Sequence, residues 1–142
     1  MYVWQLPQHL VGLAILIFHW IFDKEEIMAV VPEWTGTPPV KIFYIDDYSK
    51  KYSLGVSLGY YIFLSKEVMA HTTLTTERHE CGHSRQSRML GWFYLPVVGI
   101  PSFVHALFFK KDPKDKNKYY RFWTEKWADR LGGVWRDMTK KK

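Results

Sequence analysis

The chain opens on a strongly apolar stretch. Leu10–Phe22 reads LVGLAILIFHWIF, with His19 as its one polar residue, and Lys24, Glu25 and Glu26 close it. A segment apolar on every side belongs either in a core or against a membrane. Its thirteen residues fall short of the roughly 20 that a span needs. The run lacks a basic start and a small-residue cleavage site, so it reads poorly as a secretory signal. Both readings therefore stand: a core or docking helix, or a membrane-interface anchor.

Residues 31–39 (VPEWTGTPP) are a Pro/Gly-marked connection. Val40–Ile45 (VKIFYI), β-branched and aromatic, predicts a strand, and Leu54–Leu64 predicts a second. Gly55 and Gly59 inside the second imply a bulge or a close backbone approach. Thr72, Thr73, Thr75 and Thr76 then suit a helix start, and a helix is expected from about Thr73 to Leu90. Gly91–Phe109 is a second apolar run, with only Ser102 and His105 clearly polar. Pro96 and Pro101 break it, which predicts two short helices or a crossover. Tyr119–Leu131 predicts a last helix, stopped by Gly132 and Gly133.

Composition sharpens this only in places. The 142 residues fit one domain, and 47% hydrophobic with 24% charged residues excludes disorder. An aromatic share of 18% is high and demands bulky packing or apolar surface. One Cys excludes an intrachain disulfide. The net charge is +6, concentrated in the Lys-rich stretch Lys110–Arg121 and in Lys140, Lys141 and Lys142. Such runs are solvated surface or contacts to anionic membrane headgroups. No nucleic-acid motif accompanies them, so no nucleic-acid partner is expected. The expected location is cytoplasmic or membrane-associated.

The chemistry is concentrated in His79-Glu80-Cys81-Gly82-His83. This is H-E-x-x-H, and on a helix positions i and i+4 share a face, so His79 and His83 reach one metal ion. Glu80 sits about 100° around the helix, placed to act on water rather than on the metal. Cys81, Gly82 and Ser84 are small, so another backbone can pack against this helix. Two imidazoles and a carboxylate suit Zn2+ with a position left for water. The carboxylate is sought in the last helix, where Glu125 and Asp129 are again i and i+4. Glu125 is the candidate third ligand. Asp129 is the candidate partner for the second ring nitrogen of a ligand histidine. Trp123 and Trp127 read as core support behind Glu125. Gln86, one turn beyond His83, reads as a cleft residue or a structural hydrogen bond. His71, just ahead of the helix, reads as a surface or capping residue.

H-E-x-x-H followed by E-x-x-x-D on a later helix resembles the gluzincin branch of the zinc metallopeptidases, and the short chain is similar to the minigluzincins. The resemblance covers about residues 55–131. It implies a peptide or protein substrate, with His79, His83 and Glu125 binding zinc, Glu80 as general base and Asp129 behind a ligand. It also implies a strand beside the active-site helix whose edge pairs with substrate, here Tyr60, Tyr61, Ile62, Phe63, Leu64 and Ser65. The family's oxyanion-stabilising His or Tyr has no obvious counterpart. His105, Tyr119, Tyr120 and Arg121 are the candidates.

The expected fold is α+β: a minimal zincin-like core with a small sheet packed on the active-site helix, a C-terminal ligand helix, and an extra apolar N-terminal helix. The expected division is 1–30 for that apolar helix, 40–131 for the metal-binding core and 132–142 for a basic tail. A catalytically silent zinc protein of the same fold, and a membrane-docked interaction protein, are the alternative readings.

Overall fold

A computed structural model describes residues 3–22, 27–33, 39–45, 55–66, 74–108 and 118–136. His71, most of the Lys-rich stretch and the terminal lysines lie outside them. The fold is α+β: among the described residues, four α-helices surround a small mixed sheet, with the apolar helix at the N-terminal end. A 3-10 turn at Val3–Gln5 leads into helix α1, Leu6–Phe22. Strands β1 (Met28–Val30), β2 (Lys41–Ile45), β3 (Val56–Leu58) and β4 (Tyr61–Ser65) follow. Helix α2 spans Thr75–Leu90, α3 Ile100–Phe108 and α4 Trp123–Gly132.

The sheet order is β1-β2-β4-β3. β2 and β4 are parallel, with Ile42 opposite Ile62, and both outer pairs are antiparallel. The expected strand over Leu54–Leu64 is a hairpin instead. It turns at Gly59, whose φ of 66° is left-handed, and at Tyr60. Glycine adopts that conformation without steric cost. This corrects the assignment of Tyr60–Ser65 as a substrate-edge strand. Tyr60 lies in the turn, and β4 is hydrogen-bonded on both sides, to β2 and to β3. The N-terminal helix is also shorter than the expected 1–30, because Met28–Val30 pairs with β2 as a strand.

Both faces of the sheet are covered, which is why β2 and β4 show no polar alternation. On one face Val40, Ile42, Tyr44, Ile62 and Leu64 pack with Cys81 of α2. On the other, Phe43, Ile45, Leu58 and Phe63 meet Ile15 and Leu16 of α1, together with Leu95. Phe63 therefore lies away from α2, and only the alternate residues of β4 face that helix.

Contact between α2 and α4 is backbone on backbone. A methyl group on Gly82 would overlap the carbonyl oxygen of Ala128, and one on Gly132 would overlap that of Arg78. The small residues in the middle of α2 are the reason for this approach. Gly133 ends α4 in the left-handed conformation, with its N–H on the Arg130 carbonyl, and the Val134 N–H reaches the Asp129 carbonyl at 2.8 Å. The expected last helix is interrupted: Tyr119–Arg121 is a 3-10 turn, and Phe122 is extended before α4 begins. The second apolar run resolves into a 3-10 turn at Gly91–Phe93, a π-turn at Leu95–Gly99, and α3. Pro96 sits in the first turn of this run, where a missing N–H costs nothing, and Pro101 lies where the π-turn passes into α3.

Helix α1 is attached largely by polar and small residues. Gln8 and Gly12 are its buried positions, and Gln5 of the preceding 3-10 turn is buried beside them. Gln5 donates to the Ser87 hydroxyl at 2.7 Å, Gln8 donates to the Gly91 carbonyl, and the Trp4 indole donates to the Arg88 carbonyl at 3.1 Å. His9 stacks on Tyr60, with ring centres 4.9 Å apart.

Candidate metal centre

Four side chains from two helices form the centre. His79 and His83 lie one turn apart on α2, their ring centres 4.9 Å apart and nearly perpendicular. Glu125 and Asp129 lie one turn apart on α4. Glycine-mediated helix contact brings the pairs together. His79 Nε2 lies 3.1 Å from Glu125 Oε2, and His83 Nε2 lies 3.4 Å from the same oxygen. The ligand atoms of His79, His83 and Glu125 all fall within 4.8 Å of one another, and all three residues are buried.

This donor set fits a divalent metal. Two ligands at about 2.0–2.1 Å from a tetrahedral ion stand roughly 3.4 Å apart, close to the spacings found here. The outward ring nitrogens are held by other groups. His79 Nδ1–H donates to Asp129 Oδ1 at 2.7 Å, and His83 Nδ1–H donates to Gln86 Oε1 at 2.7 Å. Both Nε2 atoms are thus turned toward Glu125, as metal ligation requires. Gln86 is fixed in turn, donating to the Thr124 carbonyl at 2.9 Å. Of its two expected roles, Gln86 takes the structural hydrogen bond.

The electrostatics favour a cation at this point. Burial alone would lower the pKa of His79, but hydrogen bonds to Asp129 and Glu125 outweigh it and push the value up to about 9. Burial would raise Glu125, but the hydrogen bonds from His79 and His83 reverse this and hold its carboxyl well below the usual range. In the neighbouring core, burial and then the Glu80 charge push the Cys81 thiol up to about 12, which makes it a packing residue and not a nucleophile.

The second oxygen of Glu125 is held from a third element. Ser102, on α3, lies 2.8 Å from both Glu125 Oε1 and Thr124 Oγ1. Arg136 donates from Nε to Asp129 Oδ2 at 2.8 Å, and its guanidinium lies 3.5 Å from the centre of the Tyr120 ring. Sequence reasoning missed Ser102 and Arg136. Ser102 carried one signal, as a lone hydroxyl in an apolar run. Arg136 carried none, since it lies in a segment with no periodicity.

Glu80 is buried beside the histidines. A methyl group on Gly55, just ahead of β3, would overlap its carboxylate. Gly55 is thus the close approach that its sequence context implied. Among the stabiliser candidates, the Tyr120 ring meets His79 edge-on at 5.1 Å. His105 instead donates from Nε2 to the Tyr119 carbonyl at 3.0 Å and stacks on Phe122. Tyr119 is buried with its ring against those of His105 and Tyr120, and Arg121 is exposed. Trp123 is half exposed, so it is not the core support behind Glu125 that its spacing implied. Compared with known protein families, with curated proteins and with solved structures, the chain matches none.

Proposed function

We propose that the chain is a zinc-dependent metallopeptidase of gluzincin type, acting on a peptide or protein substrate. One observation carries the reading. Two histidines from H-E-x-x-H and a carboxylate from E-x-x-x-D converge in one buried spot, each histidine held from behind by its own acceptor. Two imidazoles and one carboxylate favour zinc among the common divalent ions. When bound, such an ion acidifies water and polarises a substrate carbonyl.

The protein's own groups supply the rest. Glu80 takes the proton of the attacking water on its carboxylate and returns it to the leaving amine. Asp129 and Gln86 keep the two rings in the required tautomer. Tyr120, edge-on to His79, is the side chain assigned to the oxyanion that develops on the carbonyl.

The burial of the set supports a second reading, in which the metal is structural and the protein is catalytically silent. His79 is 4% exposed and Glu125 1%, whereas a catalytic ion keeps an accessible position. The test joins metal analysis with hydrolysis of a fluorogenic peptide library. The wild type is expected to hold about one zinc, the His79→Ala/His83→Ala double variant none, and Glu80→Gln zinc without turnover. A wild type that takes up no zinc overturns both readings. Zinc without any hydrolysis selects the silent protein, and full turnover by Glu80→Gln refutes the mechanism.

A further inference from the structure

Polarity is inverted over one large part of the molecule. Along Val3–Phe22 the fully buried positions are Gln5, Gln8 and Gly12, with Ile15 and Leu16 half-buried against the sheet, while Leu10, Ile17, Phe18, Trp20 and Phe22 face outward, Trp20 at 76% exposure. The segment Trp92–Phe108 buries Tyr94 and Val98 near its start, and from Ile100 onward it shows the same inversion. There Ser102 and His105 point inward to Glu125 and to the Tyr119 carbonyl, and Phe93, Ile100, Phe103, Leu107 and Phe108 face outward. The two surfaces join where the Trp92 indole donates to the Val3 carbonyl at 2.8 Å.

Water would drive the opposite arrangement, since burial of apolar surface is the main favourable force in folding. Helices whose solvent is hydrocarbon gain nothing by hiding leucine. They pack through small residues and side-chain hydrogen bonds, as Gly12, Gln5 and Gln8 do here. The Val3–Phe22 helix is 20 residues long, apolar enough to cross a membrane, and only 17% of its apolar window is buried. At about 1.5 Å per residue this is roughly 30 Å of apolar rod. A protein partner would demand hydrogen-bonding groups about its rim, whereas the outward side chains of α1 from Leu10 to Phe18 are all hydrocarbon. In sequence the second segment runs directly into Lys110 and Lys111, the charge that suits anionic headgroups.

We propose that the outer faces of α1 and of the Trp92–Phe108 segment are seated in the hydrocarbon of a lipid bilayer. The attachment is hydrophobic, so it persists in high salt and on vesicles without charged lipid. It does not depend on the metal site, and its test reads no activity.

The test is flotation of the full-length protein with neutral phosphatidylcholine vesicles in high salt, followed by alkaline carbonate washing. Wild type is expected to float, to resist the wash and to need detergent once purified. The triple variant Ile17→Glu/Phe18→Glu/Phe103→Glu, altered only at outward positions, is expected to keep its helix content, stay in solution and cease to float. Three outcomes overturn the proposal. One is a wild type that stays monomeric without detergent and does not float. Another is a detergent-free dimer that the same substitutions dissociate, which would make a second copy the occupant. The third is a mature protein whose intact mass lacks the first helix.

Discussion

Replacing Gly82 by alanine tests whether backbone contact between α2 and α4 assembles the centre. On an exposed helix this change would stabilise by about 1 kcal/mol. Here the new methyl group overlaps the Ala128 carbonyl oxygen, and a backbone oxygen has no rotamer to yield. Restoring van der Waals contact requires α4 to withdraw by roughly 1.5 Å. Overpacking of this kind costs about 1–3 kcal/mol, and with no side chain to move the upper end applies. The net loss is then about 2 kcal/mol, or a melting point lower by about 4–8 °C for a chain of this size.

The metal responds more strongly. Glu125 and Asp129 travel with α4, and ligand distances tolerate only about 0.2 Å. Metal affinity should therefore fall by more than the ~10–100-fold that follows loss of an outer-shell partner. The assay is zinc titration against a chromophoric competitor, with far-UV circular dichroism to show that the helices persist. Wild-type affinity together with an unchanged melting point in Gly82→Ala would show that this contact does not assemble the centre.

Two further outcomes follow from the centre. The pKa of His79 is raised to about 9 against an ordinary 6.5, by hydrogen bonds that outweigh burial. The metal-free protein should therefore hold this stabilisation fully below about pH 6.5 and lose it as pH rises toward 9. Zinc takes the place of the proton, so the loaded protein should show no such decline. Melting curves across that range check both, and a flat metal-free profile contradicts the assigned contacts. Ser102→Ala removes the hydroxyl beside Glu125 Oε1 and Thr124 Oγ1 and should weaken zinc binding by about 10–100-fold at unchanged helix content. Titration with undiminished affinity would remove Ser102 from the centre.

The two residue pairs of the candidate centre, His79 with His83 and Glu125 with Asp129, are legible in the sequence because each is an i, i+4 pair, and helical geometry alone puts such residues on one face. The small residues of α2 are legible for the same reason, since close helix packing has a compositional mark. What joins the centre across the chain is not. Gln86 reaches Thr124, and Ser102 reaches Glu125, over separations that no periodicity encodes. The hairpin was hidden because Gly59 and Tyr60 interrupt an apolar run without a polar break, and because β4, buried on both faces, lacks alternation. Strand β1 was hidden by its length, three residues that owe their conformation to β2. Nor could the sequence decide which side of α1 faces inward. From Leu10 to Phe18 the helix has no polar residue to mark a face, and the buried Gln8 lies ahead of that run.

Helix α3 lies between the candidate metal centre and the outward apolar surface. Its inward side chains hold the ligand helix, Ser102 at Glu125 and His105 at the Tyr119 carbonyl. Its outward side chains, Phe103 at 64% and Phe108 at 77% exposure, belong to the surface inferred to lie in lipid. One nine-residue helix therefore carries both boundary conditions. A substitution on its inner side should alter metal binding without releasing the protein from vesicles, and one on its outer side should do the reverse. In a water-soluble enzyme the same helix would bury Phe103 and expose Ser102. The hydroxyl that steadies Glu125 is available because the bilayer, on this inference, takes the aromatic side chains that would otherwise compete for the interior.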